Sequence, residues 1–495
     1  MPRRSVMIAA CVLLPMAAAV ATEAAAQYPS FPSGYGYMDP SEIEQLNRAV
    51  AAGDHSTVRQ HGWKLWAGIM QPSGGDPGWP FWYAWPNTKA AFAPPPAPLG
   101  AVSANANEAS TSSAQAGPKK SLILLNAGRA GESGADEIPA NVPNVPTYPI
   151  PAPVSAAYPN ATTQCNAGNI CDGIHFAFNG DIMIATETLS PAGFDWIRGQ
   201  NAYQQVTLDE WHNITGQKDL TVPQPYLVTK HMYWPVKKDS ITAIPVWHSY
   251  HPDDYPNYAG YETWPDLVAV DPTGQSVGKT VQVSYLRAPA PWPTMTASAK
   301  VYGLQDFYYH QVTKDDWQSF DENDKAILNA SSYWAYGAPF GEGDYLVTIA
   351  MHINTREIPT WALQSVFWSD VPDGGSYGLA RYAQDRPDLP QAKGPWKHYL
   401  LVDAYGIPDK TNPNRVPVAT NFYIELVSHP IGTDCNNCHI RAGWPEAKQA
   451  GASSYQNPDC RNLLEKFTPG NACFAKYTRT DFQWIIPDRA LAPQQ

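Results

Sequence analysis

Apolar positions near the N-terminus repeat every three or four residues. Ile43, Leu46 and Val50 fall on one helical face, Ser41 and Glu44 stand as a capping box ahead of them, and Gly53 is placed to end the helix. A second helix is predicted from His55 to Met70, with Val58, Leu65, Trp66 and Ile69 on or near one face. The following stretch, Gly78–Pro86, reads as extended and aromatic. Beyond about residue 164 the pattern changes to short runs of period two. They predict strands at Ile174–Phe178, Asp181–Thr186, Tyr226–Val236, Val281–Leu286, Tyr345–Ile353, His398–Val402 and Asn421–Val427, with a turn at Asn179-Gly180. Helices are predicted at Ala192–Gln200 and Glu322–Tyr336, and Ser121–Leu125 offers one isolated strand. The tetrad Tyr-Leu-Val-Thr occurs at 226–229 and again at 345–348, a mark of a duplicated β unit. The expected fold is mainly β, α+β overall, with a β-rich central domain following an N-terminal helical pair.

The regions divide as 27–92 (helical and aromatic), 93–163 (a Pro/Ala/Ser-rich linker region), 164–428 (β-rich) and 429–495 (a C-terminal segment). Seven prolines between Pro139 and Pro159 predict exposed polyproline backbone. Residues 1–26 read as a secretory signal peptide. Arg3 and Arg4 form its charged end, Ile8–Ala21 its apolar run and Ala24-Ala25-Ala26 its cleavage site. No later segment reaches 18 apolar residues, so the mature chain is expected to lack a transmembrane segment and to be periplasmic or secreted.

Composition agrees with export. Charged residues make up 16% of the 495, below the roughly 25% of ordinary soluble domains, while 18 Trp, 27 Tyr and 48 Pro suit a loop-rich, aromatic-packed chain. Net charge is −12 and no Lys/Arg cluster exceeds a pair, which disfavours nucleic acid as a partner.

The chemistry concentrates in Cys435-Asn436-Asn437-Cys438-His439. Two thiols three positions apart suit the two vinyl groups of one haem, and the adjacent imidazole suits its iron. In this pentapeptide and its exported setting the chain resembles the c-type cytochromes. The resemblance implies covalent haem c with Cys435 and Cys438 as attachment sites and His439 as proximal iron ligand. Two other uses of the cysteines compete. A zinc site would draw on Cys435, Cys438, Cys460 and Cys473, but the second pair lacks CxxC spacing. A thioredoxin-like CxxC would open a helix in a βαβ unit, a context the flanking residues do not demand. Cys165, Cys171, Cys460 and Cys473 are expected to form disulfides in an oxidising compartment. Three pairings are open, Cys165–Cys171 with Cys460–Cys473 being the simplest.

The family pattern then breaks. Small c-type cytochromes carry a distal Met well downstream of the motif, but the 56 residues after His439 contain neither Met nor His. A sixth ligand must come from upstream, or the iron position stays open. In the Tyr345–Ile353 strand Met351 and His352 point to opposite faces, so one of them is the candidate distal ligand; His231-Met232 repeats the ambiguity. His429 is too near His439 to wrap to the other haem face easily. The expected function is electron transfer with a redox partner protein or a small-molecule donor or acceptor. The alternatives are a haem-dependent oxidoreductase of oxygenase or peroxidase type, and a haem-based sensor. Three further groupings carry weaker functional readings. His248, His251, Asp253 and Asp254 suggest a metal site, Arg59, His61, Trp63 and Trp66 a haem-edge cover, and Trp79–Trp85 a sugar-stacking surface.

Overall fold

Asp39 starts the first helix. Its carboxylate accepts from the Ser41 N–H, and the Ser41 hydroxyl donates to the same oxygen at 2.7 Å, so the serine serves the cap instead of being it. The N-cap therefore lies two residues ahead of the predicted one. Gly53 ends the helix as predicted, in the left-handed region at φ 72°. Asp54 caps the next helix by accepting from the Ser56 and Thr57 N–H groups.

The molecule was analysed as a computed structural model that describes residues 28–72, 80–94, 125–126, 150–159, 184–214, 219–248, 264, 266–285, 294–373, 375, 379–389, 394–407, 419, 421–424, 435–445, 474 and 477–492. The helices used below are α1 (Pro40–Ala52), α2 (His55–Ile69), α3 (Pro191–Gly199), α4 (Glu322–Tyr336), α5 (Cys435–His439) and α6 (Ile485–Arg489). The strands are β1 (Leu125–Asn126), β2 (Ile184–Leu189), β3 (Leu227–Val236), β4 (Thr242–Val246), β5 (Asp266–Val270), β6 (Thr280–Tyr285), β7 (Met295–Tyr302), β8 (Tyr309–Gln311), β9 (Tyr345–Thr355), β10 (Ala362–Trp368), β11 (Tyr399–Ala404), β12 (Gly443–Trp444) and β13 (Thr478–Arg479).

The fold is α+β and rich in antiparallel sheet. Seven strands form the main sheet in the order β1-β2-β3-β9-β10-β11, with β8 also pairing β9. A second sheet runs β4-β5-β7-β6, with β5 and β7 parallel, and β12 pairs β13 alone. β2, β3, β9 and β10 are buried along nearly their whole length, although each carries polar residues among its apolar ones. Helix α2 buries Val58, Leu65, Trp66 and Ile69, the face predicted from the sequence, and Val58, Trp66 and Ile69 join the clusters that include main-sheet residues. Trp66 stacks on Trp396 at 4.7 Å and donates through Nε1 to the Met351 sulfur at 3.2 Å. Among the described residues no helix is long and apolar enough to cross a membrane.

Several local expectations change. Asn421–Ile424 is a turn, because the Asn421 carbonyl accepts from the Ile424 N–H and its side chain from the Tyr423 N–H. Phe81–Ala84 is a 3-10 helix instead of extended chain, with Phe81 and Trp82 buried. Ala152–Ala157 is an α-helix inside the Pro-rich stretch: Pro153 sits in the first turn, where its missing N–H costs no bond, and Val154 joins the core. The repeated tetrads begin β3 and β9, which are antiparallel, so they lie at opposite ends of one strand pair. The predicted strand at Ile174–Phe178, the Asn179-Gly180 turn, the signal segment and all four expected disulfide cysteines lie outside the described residues.

Candidate functional site

Helix α5 consists of the motif itself. Cys438 follows Cys435 by three positions and His439 by four, so these positions lie on neighbouring turns of one side of the helix. The side chain of Cys438 is outside the described set. Asn436 faces inward and is fully buried. Its Nδ2 donates to the Thr360 carbonyl at 2.6 Å, and its Oδ1 accepts from the Gly406 N–H at 3.1 Å. One amide thus bolts the motif to the turn before β10 and the end of β11. Cys435 is half-buried, its Sγ 3.8 Å from the Ala419 carbonyl oxygen.

His439 Nδ1 lies 2.8 Å from the Phe482 carbonyl oxygen. A carbonyl only accepts, so Nδ1 carries the proton and Nε2 of the neutral ring carries the in-plane lone pair. The same contact turns the ring and raises its donor strength toward a metal. An axial ligand needs such a nitrogen, and two thiols able to form thioethers beside one imidazole donor are a set that fits haem c.

The carbonyl is held under strain. Among the described residues six non-glycine positions have positive φ; two of them, Trp361 (59°) and Phe482 (66°), present carbonyls to α5, and Asp481 (50°) directly precedes Phe482. The Asp481 carboxylate secures this arrangement. It accepts from Trp361 Nε1 at 3.1 Å, from Arg356 Nε at 3.0 Å and from the Val222 N–H at 3.0 Å.

The two distal candidates fall on opposite faces of the sheet. Residues directly opposite across strands share a face. Lys230, His352 and Ser365 are opposite one another on β3, β9 and β10, and Glu187 on β2 is opposite Lys230, giving a polar row across four strands. Lys230 Nζ stands 3.8 Å and Arg489 of α6 3.5 Å from the Glu187 carboxylate. Asn421 Nδ2 donates to Ser365 Oγ at 2.6 Å, and two residues earlier Ala419 meets Cys435. The side of the sheet that carries His352 is therefore the one toward α5. Val228, Leu363 and Ala404 continue that face into the cluster holding Ile440, Phe482 and Ile486.

Met351 lies on the other face, opposite His231 and Val366, fully buried and capped by Trp66. His231 stacks on Trp82 at 3.7 Å, and neither of its ring nitrogens has a hydrogen-bond partner among the described residues. Burial holds its pKa well below the usual histidine value, so it is neutral.

His61 and His248 are structural in their contacts. His61 is clamped between Glu42 (3.2 Å) and Glu357 (3.1 Å), joining α1, α2 and the chain after β9. Burial would lower its pKa, but the Glu357 charge and hydrogen bonds to both carboxylates prevail and raise it to about 9. The hydrogen bond to His61 and the Lys64 ammonium hold Glu42 down at about 2, against the opposing pull of burial. Arg59 pairs with Asp385 at 2.6 Å and Trp63 packs in the core, so this group braces the fold. His248 gives Nδ1 to Asp266 (3.0 Å) and Nε2 to Asp370 (2.7 Å), an arrangement that turns both nitrogens to carboxylates. No group of three or more metal-ligating side chains occurs among the described residues, and His251, Asp253, Asp254 and His429 fall outside them.

Sequence reasoning missed Asn436, Asp481 and Phe482. Asn436 was visible inside the motif, but nothing there tells which of two asparagines turns inward. No family model, no curated protein and no solved structure matches this chain.

Proposed function

We propose that this protein is an exported c-type cytochrome carrying one haem c on Cys435 and Cys438, with His439 as proximal ligand, and that it transfers electrons. The observation that carries the reading is the His439 contact: its Nδ1 proton is committed to the Phe482 carbonyl at 2.8 Å, which makes Nε2 the metal-donor nitrogen on the helix that bears the motif. Bound haem supplies a one-electron iron couple. Cys435 and Cys438 would anchor it, Phe482 and Asn436 would fix the angle of His439 and of the helix, and the buried cluster of Ile440, Phe474, Tyr477 and Phe482 would supply apolar packing beside them. The distal role goes to His352 over Met351, because His352 shares the face that runs through Ser365, Asn421 and Ala419 to Cys435. The site of action is the periplasm or the exterior, with a redox protein or a small molecule as partner.

One observation favours a second reading. The lack of Met and His after His439 agrees with a five-coordinate iron, as in a peroxidase- or oxygenase-type enzyme or a gas sensor. Optical spectra of the protein made with haem-maturation machinery, oxidised and dithionite-reduced, with and without carbon monoxide, separate the two. Sharp α and β bands indifferent to carbon monoxide are expected for His439/His352 ligation. A high-spin spectrum that shifts with carbon monoxide supports the second reading, and a protein without covalent haem overturns both.

A further inference from the structure

Asp481 touches neither Cys435 nor His439, yet the fold spends an unusual arrangement on it. It begins two successive left-handed residues, Asp481 and Phe482, where bulky side chains are disfavoured, and the chain does so again at Trp361. The three sites are physically joined. Trp361 Nε1 donates to Asp481 Oδ1 at 3.1 Å, the Trp361 and Phe482 rings stack at 6.4 Å, and Arg356 Nε and the Val222 N–H fill Asp481 Oδ2 at 3.0 Å each. Both strained segments present carbonyls to α5. Phe482 O takes the His439 Nδ1 proton, while Trp361 O and Thr360 O take Asn436 Nδ2 at 3.4 and 2.6 Å.

We infer that Asp481 is a positioning residue for His439: by accepting from Trp361, Arg356 and Val222 at once, it holds the Phe482 carbonyl where it fixes the imidazole tautomer and strengthens Nε2 as a donor. Without the carboxylate, Asp481 and Phe482 relax toward negative φ and the carbonyl turns away from Nδ1. A stronger imidazole donor favours ferric over ferrous iron, so release of the clamp raises the midpoint potential. Only this redox consequence rests on the haem c reading; the tautomer effect belongs to the polypeptide alone.

The test compares full-length wild type with Asp481→Ala and Asp481→Asn. Haem-loaded proteins are assayed for covalent haem by pyridine haemochrome and for midpoint potential. Full-length chains made without haem and labelled with ¹⁵N at histidine give the His439 ring-nitrogen shifts. Asp481→Ala is expected to keep its thioether-bound haem and to show an upward potential shift. A tenfold loss of ferric preference corresponds to about 59 mV for one electron. Its His439 nitrogens should move from one pure tautomer toward an average of two. Asp481→Asn retains one carbonyl acceptor and should shift the same way by less, which keeps the test decisive if the alanine variant does not fold. Folded variants with wild-type potential and wild-type nitrogen shifts overturn the inference. Absence of covalent haem in the wild type overturns the haem reading instead, and the nitrogen shifts then decide the clamp by themselves.

Discussion

The two faces of the main sheet are made by the same strands and have opposite characters. On the α2 side, His61 lies between two carboxylates, His231 is neutral under Trp82, and Met351 is closed off by Trp66. On the other side, one residue along each strand, stand Lys230, His352 and Ser365, with Glu187 and Arg489 beside them and the motif helix beyond. The three side chains on the α2 side hold the fold; the neighbouring row lies on the side that carries the cluster around α5. In a strand buried on both sides, the covering element decides what a histidine or methionine does, and its identity alone does not.

This contrast is testable, and the largest effect is expected at the motif. Replacing Cys435 and Cys438 together by Ala should abolish haem that survives denaturation, read by haem stain and pyridine haemochrome, while Met351→Leu should leave it intact. His352→Ala should keep the covalent haem but turn a low-spin spectrum into a high-spin, carbon-monoxide-sensitive one. If Met351→Leu does this and His352→Ala does not, the faces have been assigned the wrong way round.

On the α2 side the effects should appear in stability. His61→Ala leaves the buried Glu357 carboxylate with only the Met38 N–H and the Thr355 hydroxyl as donors and no positive partner, and urea unfolding should show a loss of about 3 kcal/mol with unchanged optical bands. The pH dependence follows in sign. His61 has a raised pKa, so its contribution is full below about 6.5 and is lost as pH rises through about 9. Glu42 has a lowered pKa, so its contribution is full above about 4.5 and is lost as pH falls through about 2. Thermal melts of wild type should fall off on the alkaline side, and those of His61→Ala should show less of that fall. Smallest of all, Met351→Leu, a swap of similar volume, should cost under about 1.5 kcal/mol in the same urea experiment.

Much of this arrangement was legible in the sequence, for identifiable reasons. Helices α1, α2, α3 and α4 were found within a few residues because their apolar positions fall at helical spacing, and α1 and α4 end at a glycine, Gly53 and Gly337. β3, β6, β9 and β11 were found because their runs are long and alternate. β4, β5, β7, β8, β10 and the two-residue β12 and β13 were missed. β4 contains Pro245, and β10 sets its two polar residues, Gln364 and Ser365, side by side between apolar runs, so its sequence does not alternate. The motif cysteines and histidine were plain because their chemistry sits in five adjacent residues. Asp481 was not, because its importance comes from Val222, Arg356 and Trp361, which lie more than 100 residues away and meet it only in the folded chain. The choice between Met351 and His352 was likewise undecidable, since alternation separates the faces without saying which one faces α5.

The inward turn of Asn436 has a consequence for the order of events as the protein matures. It sits between the two cysteines, fully buried and bonded to Thr360 and Gly406, so the folded motif has its back to the molecule. An enzyme joining haem to both thiols would have to grip the motif from several sides. On the haem c reading, ligation therefore precedes docking of Asn436, and the newly exported chain has a window of time in which the motif is open. A chain that folds before it meets the ligation machinery forfeits its cofactor.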